Sequence, residues 1–243
     1  MNSFDSEYSL IFRTSERDDA IFLVSDERTA NTNYGVGRLN PGRPLIFENA
    51  YAEEYGDESE FIADLMFEGS SNIVVNEQIK TYLENFEING LQIYPAVYKD
   101  MLGKLHENLW FLNFYLHLKC WDRENSAFYG EEDENEDDAD DEYNDDADDE
   151  YEDEGDDEYE DEGDDEYEDD DDIKPAIKKL SLDADLLANI PEDHRLLIRI
   201  DGLDIGYVLV HKRIVRYLER IKATGYRVIP ISKYVGGMEN FDE

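Results

Sequence analysis

Four histidines, His106, His117, His194 and His211, are the residues of this chain best suited to proton transfer or metal ligation. Their spacing argues against both, because a helical zinc site needs an HxxxH or HExxH pair and none occurs. Cys120 is the single cysteine. It has no partner for a disulfide or a thiolate pair, and its apolar neighbourhood reads as core, where free cysteine is usually found. No Walker loop and no GxSxG elbow is present, and "YGVGRLNPG" lacks both the glycine spacing and the strand-to-helix setting of a phosphate loop. Glu150, Glu152, Glu154 and Gly155 are spaced like part of a calcium loop. The first ligands are Glu rather than Asp, however, and no helices flank them. The expectation is a protein that is not an enzyme, with no cofactor and no metal.

The chemistry that remains is electrostatic. The net charge of −42 is concentrated in residues 131–172, which hold 32 acidic and no basic residues. Residues 1–130 carry 10 basic against 22 acidic residues, and residues 173–243 carry 12 against 10. Within the acidic run, Tyr143, Tyr151, Tyr159 and Tyr167 mark an eight-residue repeat built on "DDEY". Such a run offers too little apolar surface to offset the entropy of ordering, so disorder is expected. It repels nucleic-acid phosphates and anionic membranes, which leaves a basic protein as the natural partner. One reading makes the run bait that steers a cationic partner into encounter, its tyrosines stacking on Arg or Lys. The other makes it a repeat expanded by slippage and tolerated because it is soluble.

The elements on either side carry a duplication. "NIVVNEQIKTYLENFEINGLQIYP" (72–95) aligns without a gap on "YVLVHKRIVRYLERIKATGYRVIP" (207–230). Val75 falls on Val210, Ile79 on Ile214, "YLE" on "YLE", Gly90 on Gly225 and Pro95 on Pro230. Each copy reads as a strand, a helix with apolar residues at helical spacing, a glycine that ends the helix in a left-handed conformation, and a strand that stops at proline. The fold class expected is α+β, a single domain with two quasi-equivalent strand-helix-strand units. Residues 1–130 supply its N-terminal part, 173–243 its C-terminal part, and 131–172 a disordered acidic insertion.

Other segments are simpler to read. "YSLIFRT" and "AIFLVSD" predict a hairpin or two adjacent strands, and 31–44 a surface loop. Residues 112–120 alternate as one long strand, although Leu109, Leu112, Leu116 and Cys120 also fit a helix. "HRLLIRIDG" predicts a strand and turn. Residues 175–193 predict a short strand and a brief helix capped near Ser181 or Asp183. Trp110 and Trp121 are expected in the core. The helix "HKRIVRYLERIK" carries five basic residues against Glu219 and reads as a solvated face. The first residues lack the basic and apolar regions of a signal peptide, and with one cysteine the expectation is a cytoplasmic protein.

Residues 60–130 and 173–233 resemble the immunity-protein family numbered eleven in bacterial polymorphic-toxin systems. The resemblance rests on the two copies, on "LN" at 112–113 followed by Asp122 and Ser126, and on "IRIDG" before the second copy. Asn76 and His211 stand where the family has a small polar residue after the first strand. The resemblance implies a cytoplasmic protein that binds and neutralises a cognate toxin, here a basic one by charge. Asp122 and Ser126 match the family's middle motif and are read as turn-stabilising residues and candidate partner contacts. The alternative function is an acidic chaperone or nucleic-acid mimic acting through the run.

Overall fold

In chain order the elements are β1 (Tyr8–Arg13), β2 (Leu23–Ser25), α1 (Glu27–Ala30), β3 (Leu45–Asn49), β4 (Leu65–Glu68), β5 (Asn72–Asn76) and α2 (Glu77–Leu83). They continue with β6 (Leu91–Lys99), β7 (Leu105–Phe114), β8 (His117–Leu118), β9 (Ala127–Phe128), β10 (Ile177–Lys179), α3 (Ala184–Ala188), β11 (Leu197–Ile200), β12 (Val208–His211), α4 (Lys212–Ile221) and β13 (Tyr226–Pro230). This computed structural model describes residues 3–14, 21–51, 61–129, 176–203 and 206–238. All of them belong to one compact unit drawn from both sides of the acidic run. The run itself, with its expected disorder, lies outside the described residues. The fold is mixed α+β.

Both copies of the duplication fold as strand, helix and strand. Their helices begin alike: the Asn76 side chain accepts the Ile79 N–H at 2.9 Å, and His211 Nδ1 accepts the Arg213 N–H at 3.4 Å. A polar residue after the first strand is therefore an N-cap in each copy, satisfying one of the free N–H groups of the first turn.

In each copy the two strands are separated by one antiparallel strand. The first sheet runs β2-β3-β6-β7-β5-β4, the second β13-β1-β12-β11-β8. Val75 and Pro95 both face Trp110 on β7, while Val210 and Pro230 both face Ser9 on β1. The strand that completes the second copy thus comes from the N-terminal end of the chain.

That placement corrects the expected pairing of β1 with β2, which lie in different sheets. β1 buries both faces: Tyr8, Leu10 and Phe12 in one apolar cluster, Ile11 in another. A strand buried on both sides belongs in the middle of a sheet, where β12 and β13 flank it. The second cluster is shared between the two sheets and the helices, joining Ile73, Val75, Ile79 and Leu83 to Val208, Val210, Ile214 and Leu218.

Three further expectations change. The glycines do not end the helices: Lys222, at φ 54°, caps α4, and Glu84 closes α2 in a right-handed conformation. Gly90 (φ 72°) and Gly225 (φ 90°) instead turn the chain into β6 and β13. β6 runs through Pro95 to Lys99, which proline permits because β3 pairs with β6 only from Ala96 onward. The alternating run 112–120 is two strands, since β7 stops at Phe114 and β8 joins the second sheet beside β11. Leu116, at the crossing between them, is 60% exposed. The predicted β11, its turn, β10 and α3 are present, α3 being capped by Asp183.

Candidate partner-binding surface

Tyr143, Tyr151, Tyr159 and Tyr167 lie outside the described residues. Asp122 and Ser126 are brought together in one turn. The Asp122 carboxylate accepts the Asn125 side-chain amide (2.7 Å) and the backbone N–H groups of Glu124 (3.0 Å) and Asn125 (3.2 Å). These bonds, the side-chain amide first, hold its pKa below the usual carboxylate value. Ser126 Oγ accepts the Ser181 N–H at 3.1 Å, tying the turn to the strand-to-helix connection before α3. Both residues hold the turn, and Asp122 also lines a cavity of roughly 330 Å³ with Asp5, Asn125, Lys179 and Ser181.

The larger open surface lies on α2 and α4. Tyr82 and Tyr217, equivalent in the duplication, stack with ring centroids 3.6 Å apart and planes 3° apart. Tyr217 Oη donates to the Gln78 carbonyl at 3.0 Å. Reciprocal ties flank the stack: Thr224 donates its N–H to Asp64 at 2.9 Å, and its counterpart Asn89 donates to the His194 carbonyl at 2.8 Å. An open groove of roughly 550 Å³ runs along this pair, lined by Glu77, Gln78, Thr81, Tyr82, Asn85 and Tyr217. The signal for the stack was the shared "YLE", which sets a tyrosine at the same position of α2 and of α4.

The basic helix is partly neutralised. Arg213 reaches Glu192 (2.8 Å) and Asp193 (2.5 Å), and Lys212 reaches Glu7 (3.0 Å). Arg220 lies over the Tyr217 ring at 5.3 Å. Arg216 and Lys222 are exposed and form no ion pair among the described residues. Trp121 is buried as expected and donates to the Asp201 carbonyl at 2.9 Å. Trp110 differs: it sits half-buried at the rim beside α2, donating to Glu77 at 2.5 Å with Lys80 over its ring at 4.4 Å.

His211 is 1% exposed. Its Nδ1 caps α4, so the proton resides on Nε2, which faces Glu7 Oε2 at 3.7 Å. Burial lowers its pKa, with Arg195 and Lys212 acting in the same direction and Glu192 and Glu7 opposing. Because the folded-state pKa lies below the ordinary value of 6.5, the unfolded chain takes up this proton first as pH falls. Stability is then lost from about pH 6.5 downward until the folded-state pKa is reached. His211→Asn, which supplies the cap that Asn76 provides in the other copy, should reduce the loss between pH 7.5 and 5.5, by at most about 1.4 kcal/mol. Paired urea melts of wild type and variant at the two pH values measure this, and equal losses would reject it.

Cys120 is fully buried, and that burial pushes its thiol pKa up to about 12, leaving it a poor nucleophile at neutral pH. Among the described residues no three His, Cys, Asp or Glu side chains gather as a metal site, and no helix is long and apolar enough to cross a membrane. No protein-family model matches the chain, and no curated protein matches it.

Proposed function

We propose that this chain is a cytoplasmic, non-catalytic immunity protein of the polymorphic-toxin kind, which neutralises a cognate basic toxin by binding it. The reading includes two quasi-equivalent strand-helix-strand units, interrupted by an acidic insertion that attracts the partner. The matching registers about Trp110 and Ser9 support the two units. The Tyr82–Tyr217 stack, which brings equivalent residues face to face, supports them as well.

The observation that carries the functional reading is the resemblance of residues 60–130 and 173–233. Those segments supply the open groove beside α2, whose stacked Tyr82 and Tyr217 rings are of the residue type enriched where protein partners bind. The competing reading, an acidic chaperone or nucleic-acid mimic, rests on the 32 carboxylates of residues 131–172.

Co-expression with the toxin encoded by the adjacent gene tests the proposal, using the full chain and the chain lacking 131–172. Protection by both forms supports recognition by the folded part. Protection by the full chain alone transfers the function to the acidic run. If neither protects, or no neighbouring gene encodes a toxin, the immunity reading fails.

A further inference from the structure

Arg199 lies on β11 opposite Val208, on the sheet face that carries Leu197, Val208 and Val210 into the shared core. Its side chain reaches toward the turn at Gly35, which Asn113 fixes by accepting the Gly35 N–H (2.7 Å) and donating to the Gly37 carbonyl (2.9 Å). Asn113 is itself fully buried, so that turn is held rigidly in place.

The guanidinium is half-buried, and although the Asp201 carboxylate acts on it through space, it forms no hydrogen bond or ion pair within 4 Å among the described residues. Arginine cannot shed its proton to relieve such a position. An unpaired cation out of water is costly, and the cost is relieved when an anion arrives.

A second donor points into the same place. Ser71, in the β4–β5 turn, is 7% exposed, and its hydroxyl has no hydrogen-bond partner among the described residues. A methyl group on Gly206 would stand 3.3 Å from both Ser71 Oγ and Arg199 Nη2, and one on Gly35 would stand 3.0 Å from Arg199 Nη1. The point that a Cβ on Gly206 would occupy is thus shared by both donors. Gly35 also has φ +78°, where a side chain would strain the backbone.

We propose that Arg199 and Ser71, framed by Gly35 and Gly206, form a binding site for one oxyanion, a carboxylate or a phosphate group. The planar fork of Arg199 takes two oxygens and the Ser71 hydroxyl a third contact.

The test uses the full chain in sodium chloride, sodium phosphate and sodium acetate at matched ionic strength, so that screening of the acidic run is the same in all three. Thermal unfolding should shift upward in a saturable way with phosphate or acetate relative to chloride, and the stronger of the two identifies the class. Arg199→Gln should weaken the apparent affinity by about tenfold or more, and Gly206→Val should abolish the shift by filling the gap. Without the anion, Arg199→Gln should unfold at or above the wild-type temperature, because it removes a half-buried cation that no hydrogen bond satisfies. A structural arginine would give the opposite result. If that variant does not fold, Ser71→Ala must weaken the same response. No anion-specific shift in the wild type, or an undiminished shift in Arg199→Gln or Ser71→Ala, would overturn the assignment.

Discussion

Gly225→Ala should cost about 4 kcal/mol of stability, placing it among the rare severe single substitutions. The residue has φ +90°, and an added Cβ would lie 2.0 Å from the Leu65 carbonyl oxygen and 2.5 Å from Ala63 Cβ. Both obstacles are fixed, since Leu65 pairs with Val75 in the first sheet and its N–H bonds the Thr224 carbonyl at 3.1 Å. The Gly225 carbonyl meanwhile accepts the Thr14 N–H at 3.3 Å. Accommodating a methyl group would thus part the two sheets where their backbones meet. The equivalent Gly90 makes a useful comparison. Its added Cβ would meet Leu116 Cβ at 2.6 Å, on a mostly exposed side chain in a crossing segment. The Leu116 backbone is also close, with its O at 3.1 Å, and the Tyr115 N–H bonds the Gly90 carbonyl at 2.8 Å. No contact is as short as the 2.0 Å at Gly225, so Gly90→Ala should cost less, about 3 kcal/mol. Denaturant melts of both variants measure the difference, and a Gly225→Ala chain within about 1 kcal/mol of wild type would contradict this reading of the contact.

The second large effect concerns the acidic run. Replacing residues 131–172 by a short turn should stabilise the folded part by about 2 kcal/mol while slowing association with the basic partner proposed for it. The ends of the run leave from strands already paired to one another: Phe128 faces Ile177, and the Tyr129 N–H bonds the Ala176 carbonyl at 3.0 Å. A few residues can bridge that gap, and shortening the loop lowers its closure entropy. For a basic toxin, losing 32 carboxylates removes the long-range attraction that raises encounter rates. The association rate constant should fall by about 10- to 1,000-fold at low salt, with the dissociation rate nearly unchanged. At high ionic strength the two forms should converge as screening removes the steering. Stopped-flow association across a salt series reads this directly. A full chain whose association rate is insensitive to salt would exclude electrostatic capture.

Local pattern made the two strand-helix-strand segments legible, because Val75 and Val210, and Ile79 and Ile214, are buried alike, and Gly90 and Gly225 both take a positive φ. The same pattern could not place β1. "YSLIFR" states that a strand exists, but its partners begin at Val208, and proximity in the chain favoured the wrong neighbour, β2. The 112–120 alternation failed for a related reason: a period of two persists across a crossing, so Leu112 and Leu118 share a phase while packing in different clusters. Asp122 and Ser126 were legible as turn residues because an aspartate binding the N–H groups that follow it is a local matter. Ser71 and Arg199 were not, since Arg199 reads only as part of the strand in "IRIDG", Ser71 belongs to no motif, and only the folded chain brings them to the same glycine.

Pairing between β1 and β12 sets a timetable as well as a topology. Tyr8 faces His211, so the first strand leaves the ribosome long before either of its neighbours exists. At about 5–20 residues per second, that interval is roughly 10–40 s. Throughout it, a strand with two apolar faces and two unpaired edges has nothing to fold against, which is the condition that recruits chaperones or favours misassembly. The first sheet, by contrast, has all its strands once β7 is made. Synthesis would then pass through a half-built protein, one sheet complete and the other still lacking four of its five strands.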